Sequence, residues 1–181
     1  MTDSRNILLI VSGGIAAYKA LDLIRRLDER QIGVQCILTA AGSKFVTPLS
    51  LSALSGKKVY TDLFSLTDEQ EMGHIRLSRE ADLVVVAPAT ANLIAKTANG
   101  ICDDLASTVL LATDKPVLFV PSMNTRMWQH PTTQRNLGQL VHDGAQFLPP
   151  NDGELACGEI GTGRMAETAQ ILERVESLVS Y

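Results

Sequence analysis

The sequence predicts a doubly wound α/β fold, a parallel sheet covered by helices on both faces. Three observations carry this. The chain opens with an unbroken apolar run, residues 7–11, stopped by two glycines and followed by a helically spaced segment. Two later runs, 83–87 and 117–120, are apolar at every position, as strands buried on both faces are. Between the runs lie segments of helical periodicity, so strands and helices alternate.

In chain order, Ser12-Gly13-Gly14 turns the first strand into a helix over 15–27, which carries Lys19, Asp22, Arg25 and Arg26 between its apolar positions. Adjacent glycines let the backbone turn sharply and approach a ligand, and the N–H groups of the next helix face the same point with a dipole that favours an anion. An ordinary βα turn without a ligand has the same pattern, and the loop alone does not choose. Ala16 and Tyr18 stand where GxGxxG needs glycine, and GxxxxGK[ST] is absent. The second strand, 34–38, ends in Thr39-Ala40-Ala41, with no acid to hold an adenosine ribose. These features favour a mononucleotide-like phosphate over NAD or ATP.

A helix over 42–54 is interrupted near Pro48. Residues 59–64 are extended, 65–73 a polar acidic surface loop, and 74–80 a short helix. Helices follow over 91–98 and 105–112. Residues 126–141 are mostly helical, 146–148 a last short strand, and 166–179 a terminal amphipathic helix. Residues 151–164 hold four glycines and no periodicity, which predicts an irregular lid. No linker divides the chain, so residues 1–181 read as one flavodoxin- or Rossmann-like domain.

The chain has 181 residues, 20% of them charged and 45% hydrophobic, the balance of a globular chain with a sizeable core. A formal net charge of −4 argues against a nucleic-acid surface. No run approaches the roughly 18 apolar residues of a membrane span, and the N-terminus lacks the marks of a signal peptide. Cys36, Cys102 and Cys157 are far apart and form no CxxC, which points to a reducing, cytoplasmic compartment.

Two strands end in similar polar loops. Pro88-Ala89-Thr90-Ala91-Asn92 follows one and Pro121-Ser122-Met123-Asn124 the other. Both fall on the carboxyl rim of the sheet, where ligands bind in such folds. Asn offers a donor and an acceptor for a ring edge or a carboxylate. Helix capping by Thr90 and Asn124 explains either loop alone, but two on one rim beside a glycine loop point to a site. His74 opens a short helix. Asp103-Asp104 reads as a cap, since no third metal ligand stands nearby, and no metal is expected. His130 and His142 read as surface residues and Cys36 as core. Cys157, in contrast, lies in the glycine-rich stretch, where a thiol is exposed, and Arg164 at its end suits a carboxylate or phosphate.

SGGIAAYK, Gly73-His74-Ile75, PATANLIAK with GICDDL, PSMNTRMW and ACGEIGTGRM occur in this order and cover nearly the whole chain. Together they closely resemble the flavin-dependent cysteine decarboxylases, in particular the branch that acts on phosphopantothenoylcysteine in coenzyme A biosynthesis. The resemblance implies FMN, held by Ser12, Gly13, Gly14 and Ile15, by Thr39, and by Thr90, Ala91 and Asn92. It implies His74, Asn124 and Cys157 as catalytic residues, with Asn124 holding the substrate carboxylate and Cys157 donating a proton. Met123, Ala156 and Arg164 complete the substrate side. It further implies a homotrimer with FMN between subunits, often built up to a dodecamer, and a fused or separate phosphopantothenoylcysteine synthetase as partner. In the family one loop runs P-x-S-A-N-T. Here Thr90 keeps the hydroxyl and Leu93 does not.

The implied chemistry explains the residue types. Loss of carbon dioxide from an N-acylated cysteine needs an electron sink. Oxidation of CH2–SH to a thioaldehyde supplies one, and return of the hydride with a proton leaves no net oxidation. Thiols, of ordinary pKa about 8.5, are mostly protonated at neutral pH and can donate. Within the same fold, a flavin prenyltransferase is expected to lack both the PxMN loop and the cysteine clamp. A peptide-cysteine decarboxylase shares PxMN but matches the clamp less well. A non-catalytic regulatory flavoprotein tolerates loss of His74, which is present here.

Overall fold

The computed structural model describes residues 5–63 and 73–179. A six-stranded parallel sheet runs in the order β3-β2-β1-β4-β5-β6. Its strands are β1 (Asn6–Val11), β2 (Gly33–Leu38), β3 (Val59–Tyr60), β4 (Leu83–Ala89), β5 (Val117–Pro121) and β6 (Gln146–Phe147). The helices are α1 (Tyr18–Glu29), α2 (Pro48–Ser55), α3 (Gly73–Glu80), α4 (Ala91–Ala98), α5 (Leu105–Ala112), α6 (Thr125–Gln129), α7 (Pro131–His142) and α8 (Thr168–Val179). The predicted doubly wound fold is the one observed. The expected surface loop over 65–73 lies outside the described residues, except for Gly73, which begins α3. So does Phe64.

Alternation along the central strands sorts their side chains between two cores. Ile7, Leu9 and Val11 of β1 and Leu83 and Val85 of β4 pack under α1, α2 and α8, against Leu23, Ile24, Leu51, Ile171 and Val175. Leu8, Ile10, Val84, Val86 and Phe119 face the other way, against Leu77, Leu93, Ile94, Val109 and Leu137 of α3, α4, α5 and α7. Both faces are covered, so β1 and β4 must be apolar at consecutive positions, and residues 7–11 are fully buried. Each such side chain contributes about 1.5–3 kcal/mol of transfer free energy. Cys36 is fully buried among them, and burial pushes its thiol up to about 12, as expected of a packing residue.

Two regions differ from expectation. The helical run over 126–141 is two helices, because Pro131 cannot continue α6. His130 sits extended between them, and its Nδ1 accepts from the Thr132 N–H at 3.2 Å to cap α7. The supposed irregular lid is an antiparallel hairpin, β7 (Asn151–Glu154) and β8 (Ile160–Arg164). Alternation was hidden there because the hairpin stands off the sheet and buries neither face fully.

The acidic pair is a cap, as expected. Asp104 accepts the Ser107 N–H at 2.8 Å while its own N–H donates to Ser107 Oγ at 3.2 Å, closing a capping box on α5. Lys96 Nζ lies 3.1 Å from Asp104 and 2.6 Å from Asp103. Burial pushes the Asp104 carboxyl up, but the Ser107 N–H and hydroxyl and Lys96 outweigh it and hold it below its ordinary 3.8. Among the described residues no acid, His or Cys cluster could hold a metal. Asp104→Ala is expected to lower the unfolding free energy by about 1 kcal/mol, read from the urea midpoint at neutral pH, while Asp104→Asn keeps most of it. The charge-dependent part of the wild-type advantage, the part that Asp104→Asn lacks, should be full above pH 3.8 and be lost as pH falls through the depressed folded-state value.

Candidate active site

After β1 the chain winds to β2 and β3, whereas β4 to β6 lie on the opposite side of β1. The loops after β1 and β4 therefore diverge and leave a crevice at the carboxyl ends of the strands. Ser12 bridges its floor. Its buried hydroxyl donates to the Pro88 carbonyl at 2.5 Å and accepts the Thr90 N–H at 3.2 Å. The sequence suggested Ser12 as a ligand contact. Its hydroxyl joins the two loops, and the residue also borders the crevice.

On one side, Gly13 lies so close to the β2 loop that a Cβ would meet that of Ala41 at 2.5 Å. Gly14 has only open space where its Cβ would point. The chain then enters a short 3-10 turn, Ile15–Ala17, and α1. First-turn N–H groups have no intrahelical acceptor, so this end offers donors to an anion. Thr39 Oγ1 accepts the Gly42 N–H at 3.0 Å, fixing the next loop. Thr90 Oγ1 accepts the Leu93 N–H at 3.3 Å and caps α4. The Leu93 side chain is almost wholly buried in the core and also borders the crevice.

On the far side stand the β5 loop and the hairpin. Asn124 Oδ1 accepts from Arg126 N at 2.8 Å and Met127 N at 3.4 Å, which caps α6. The same side chain turns its Nδ2 to the hairpin tip, 2.6 Å from Glu159 Oε2 and 3.8 Å from Cys157 Sγ. Capping and a place on the cavity wall are thus not alternatives; one amide has both. The hairpin stem is fixed by Met123 N–H donating to the Gly163 carbonyl at 3.0 Å. Gly163 has φ +153, and a Cβ there would overlap the Met123 carbonyl oxygen. Only glycine allows this approach.

These walls enclose a cavity of about 1010 Å³, at the upper end of small-molecule sites. Its lining includes Ser12, Gly13, Gly14, Ile15 and Thr39 from one side. Thr90, Ala91 and Asn92 come from the floor, and Met123, Asn124, Ala156, Cys157 and Arg164 from the other side. Every candidate except His74 is there. His74 is half-buried at the start of α3 and does not border the cavity.

Sequence reasoning missed Lys19, which lines the cavity with its side chain 12% exposed. Its Nζ donates to the Met165 carbonyl at 3.2 Å and pairs with Glu167 at 3.0 Å, tying α1 to the end of the hairpin. That hydrogen bond holds the Glu167 carboxyl below its ordinary range. Arg164 Nη2 pairs with Glu167 at 3.1 Å. The only signal for Lys19 was a cation one turn after the glycine loop.

The family model described as Flavoprotein matches residues 1–180. The chain belongs to the flavoprotein family. Among sequence relatives, the coenzyme A biosynthesis bifunctional protein CoaBC of Bacillus subtilis is 46% identical over 176 residues, 97% of this flavoprotein and 43% of that protein. Its counterpart from Escherichia coli is 47% identical over 169 residues, 93% and 42% of the two chains. This flavoprotein thus spans less than half the length of these relatives. Among solved structures, a mutant PPC decarboxylase complexed with pantothenoylaminoethenethiol superposes with a TM-score of 0.86 at 34% identity, covering 98% of this chain and all of that one. The FMN binding protein AtHal3 gives 0.83 at 34% identity, covering 98% and 97%.

The stem contact yields a prediction. Gly163→Ala should undock the hairpin from Met123 and destabilise the fold by about 1–3 kcal/mol. Limited proteolysis should then cut faster within 155–160 than in the wild type, with the rest of the chain still protected.

Proposed function

We propose that this flavoprotein is an FMN-dependent decarboxylase that converts phosphopantothenoylcysteine to phosphopantetheine in coenzyme A biosynthesis. The observation that carries this reading is the meeting of Asn124 and Cys157, 3.8 Å apart on a cavity that also holds the glycine loop and the Thr90–Asn92 loop. The names and identities of the relatives support it.

The residues present fit FMN. A phosphate suits the helix start beyond Gly14, where the backbone N–H groups of Ile15 and Ala16 lie and nothing fills the space of a Gly14 side chain. Ile15, Ala91 and Leu93 offer apolar walls for a ring system, and the Asn92 amide borders the same space. FMN, when bound, supplies reversible oxidation of the substrate's thiol-bearing carbon, the electron sink that decarboxylation needs.

The chain's own groups do the rest. Asn124 is a neutral donor whose orientation is locked by its α6 cap, so it can hold a carboxylate without titrating. Cys157 stands beside it and holds a proton for the carbon that has lost its carboxylate. The mutant PPC decarboxylase was solved with an aminoethenethiol, a ligand whose carboxylate is already gone. That supports a late step for proton delivery. Arg164, at the hairpin base, suits an anionic part of the substrate.

His74 joins the site from a second copy in this reading. It lies away from its own chain's cavity, and Ile15 and Tyr18 on the cavity wall are each 60% exposed, which suits cover by a neighbour. A homotrimer, assembled further into a dodecamer, meets that need. A synthetase activity, fused or separate, supplies the substrate in the cytoplasm.

The purified chain is expected to take up FMN, with the visible bands of oxidised flavin, and to release carbon dioxide from phosphopantothenoylcysteine. A protein that binds no FMN would sink the proposal. Cys157→Ser should keep FMN and carbon dioxide release but discharge the enethiol, lighter than the normal aminothiol by two hydrogens, as mass spectrometry can show. Normal product at a normal rate would remove Cys157 from the mechanism.

A further inference from the structure

Nothing in the chemistry so far uses Glu159, yet it holds the group assigned to the substrate. Asn124 Oδ1 is committed to the N-terminus of α6, so the amide cannot flip without uncapping that helix. Its two N–H donors therefore point to fixed places. Nδ2 lies 2.6 Å from Glu159 Oε2 and 3.8 Å from Cys157 Sγ. A ligand carboxylate has two ways to approach. It can take the hydrogen from Glu159, or it can take the one beside Cys157. In the second case two carboxylates would share one amide, and like charges a few ångströms apart repel. Either way the Glu159 side chain must leave.

Its departure is feasible. Glu159 is exposed, and among the described ion pairs no Lys or Arg faces its carboxylate, so the neutral amide is its described side-chain partner. Its carbonyl accepts the Leu155 N–H at 2.8 Å, which holds the hairpin tip together whether or not the side chain is docked. The stem contacts at Gly163 and Met123 do not involve it.

We propose that Glu159 is a displaceable occupant of the carboxylate site: it holds the Asn124 donor until a ligand bringing its own carboxylate displaces it, and it returns when that carboxylate is lost. This rests on the assignment of Asn124 as carboxylate holder. The decarboxylated product has nothing to place on Asn124, so Glu159 competes with substrate and not with product. The contact therefore sets a cost that carboxylate-bearing ligands alone must meet, and it satisfies the donor again once carbon dioxide has left.

The test uses the FMN-loaded full chain. Glu159→Ala should lower KM for phosphopantothenoylcysteine by about three- to tenfold, the worth of one ordinary solvent-exposed hydrogen bond. The inhibition constant of phosphopantetheine should stay at the wild-type value. Glu159→Gln keeps an acceptor but not the charge, and should move KM the same way by less. A KM that is unchanged or raised in Glu159→Ala, or a product inhibition constant that falls in step with KM, overturns the proposal. Asn124→Ala separates the two readings. If it leaves KM at the wild-type value, Asn124 is not the carboxylate holder. If it raises KM while Glu159→Ala changes nothing, only the role of Glu159 fails.

Discussion

The site depends on one buried hydroxyl. β1 and β4 are hydrogen-bonded neighbours whose onward connections part company, and parting loops would leave unpaired backbone groups at the bottom of a crevice. Ser12 satisfies a carbonyl on one atom and an N–H on another, both from the β4 loop. Its burial makes those bonds costly to lose. With that junction closed, Gly13 is held against Ala41 and Thr90 is set to cap α4. The glycine-loop wall and the floor of the cavity thus meet at this side chain.

A second economy governs the opposite wall. Asn124 is at once a helix cap and the anchor of the hairpin tip. A cap fixes the plane of the amide, and a fixed amide is a directed donor rather than a mobile one. Pre-orientation of this kind lowers the ordering cost of binding a carboxylate. The hairpin stem meanwhile relies on close backbone approach, with Gly161 against Thr125 and Gly163 against Met123. Stem and tip are thus held by different physics: steric fit at the base, and displaceable polar contacts at the end.

How much of this could be read from the chain alone varied with how local the cause was. The buried strands announced themselves because both faces of the sheet are covered, and α4 and α5 fell on the expected residues because Thr90 and Asp104 are strong caps. The hairpin was misread as irregular, since half-exposed strands with four glycines carry no alternation. The rim loops pointed to the cavity through their residue types, but the inward commitment of Ser12 and the Lys19–Glu167 tie rest on contacts 78 and 148 positions apart in sequence, which no local pattern encodes. His74 could be placed on a short helix by pattern, yet its distance from the cavity depends on how α3 packs against α5, a tertiary fact.

That last point bears on assembly. A single chain brings together a donor for a carboxylate, a thiol and an anion-binding turn, all on one cavity, but leaves the imidazole outside and large apolar side chains at the wall open to water. Exposing Ile15 and Tyr18 beside a candidate ligand site is unfavourable for an isolated monomer. In the proposed assembly a neighbouring copy would answer both deficits with one surface, covering the apolar wall and bringing its own His74 into reach. Excluding water there also strengthens the Asn124 donor, because a hydrogen bond to a carboxylate gains as the local dielectric falls. On the proposed reading oligomerisation would be a part of the chemistry, and the Asn124–Glu159 contact would keep that donor from being left bare between turnovers.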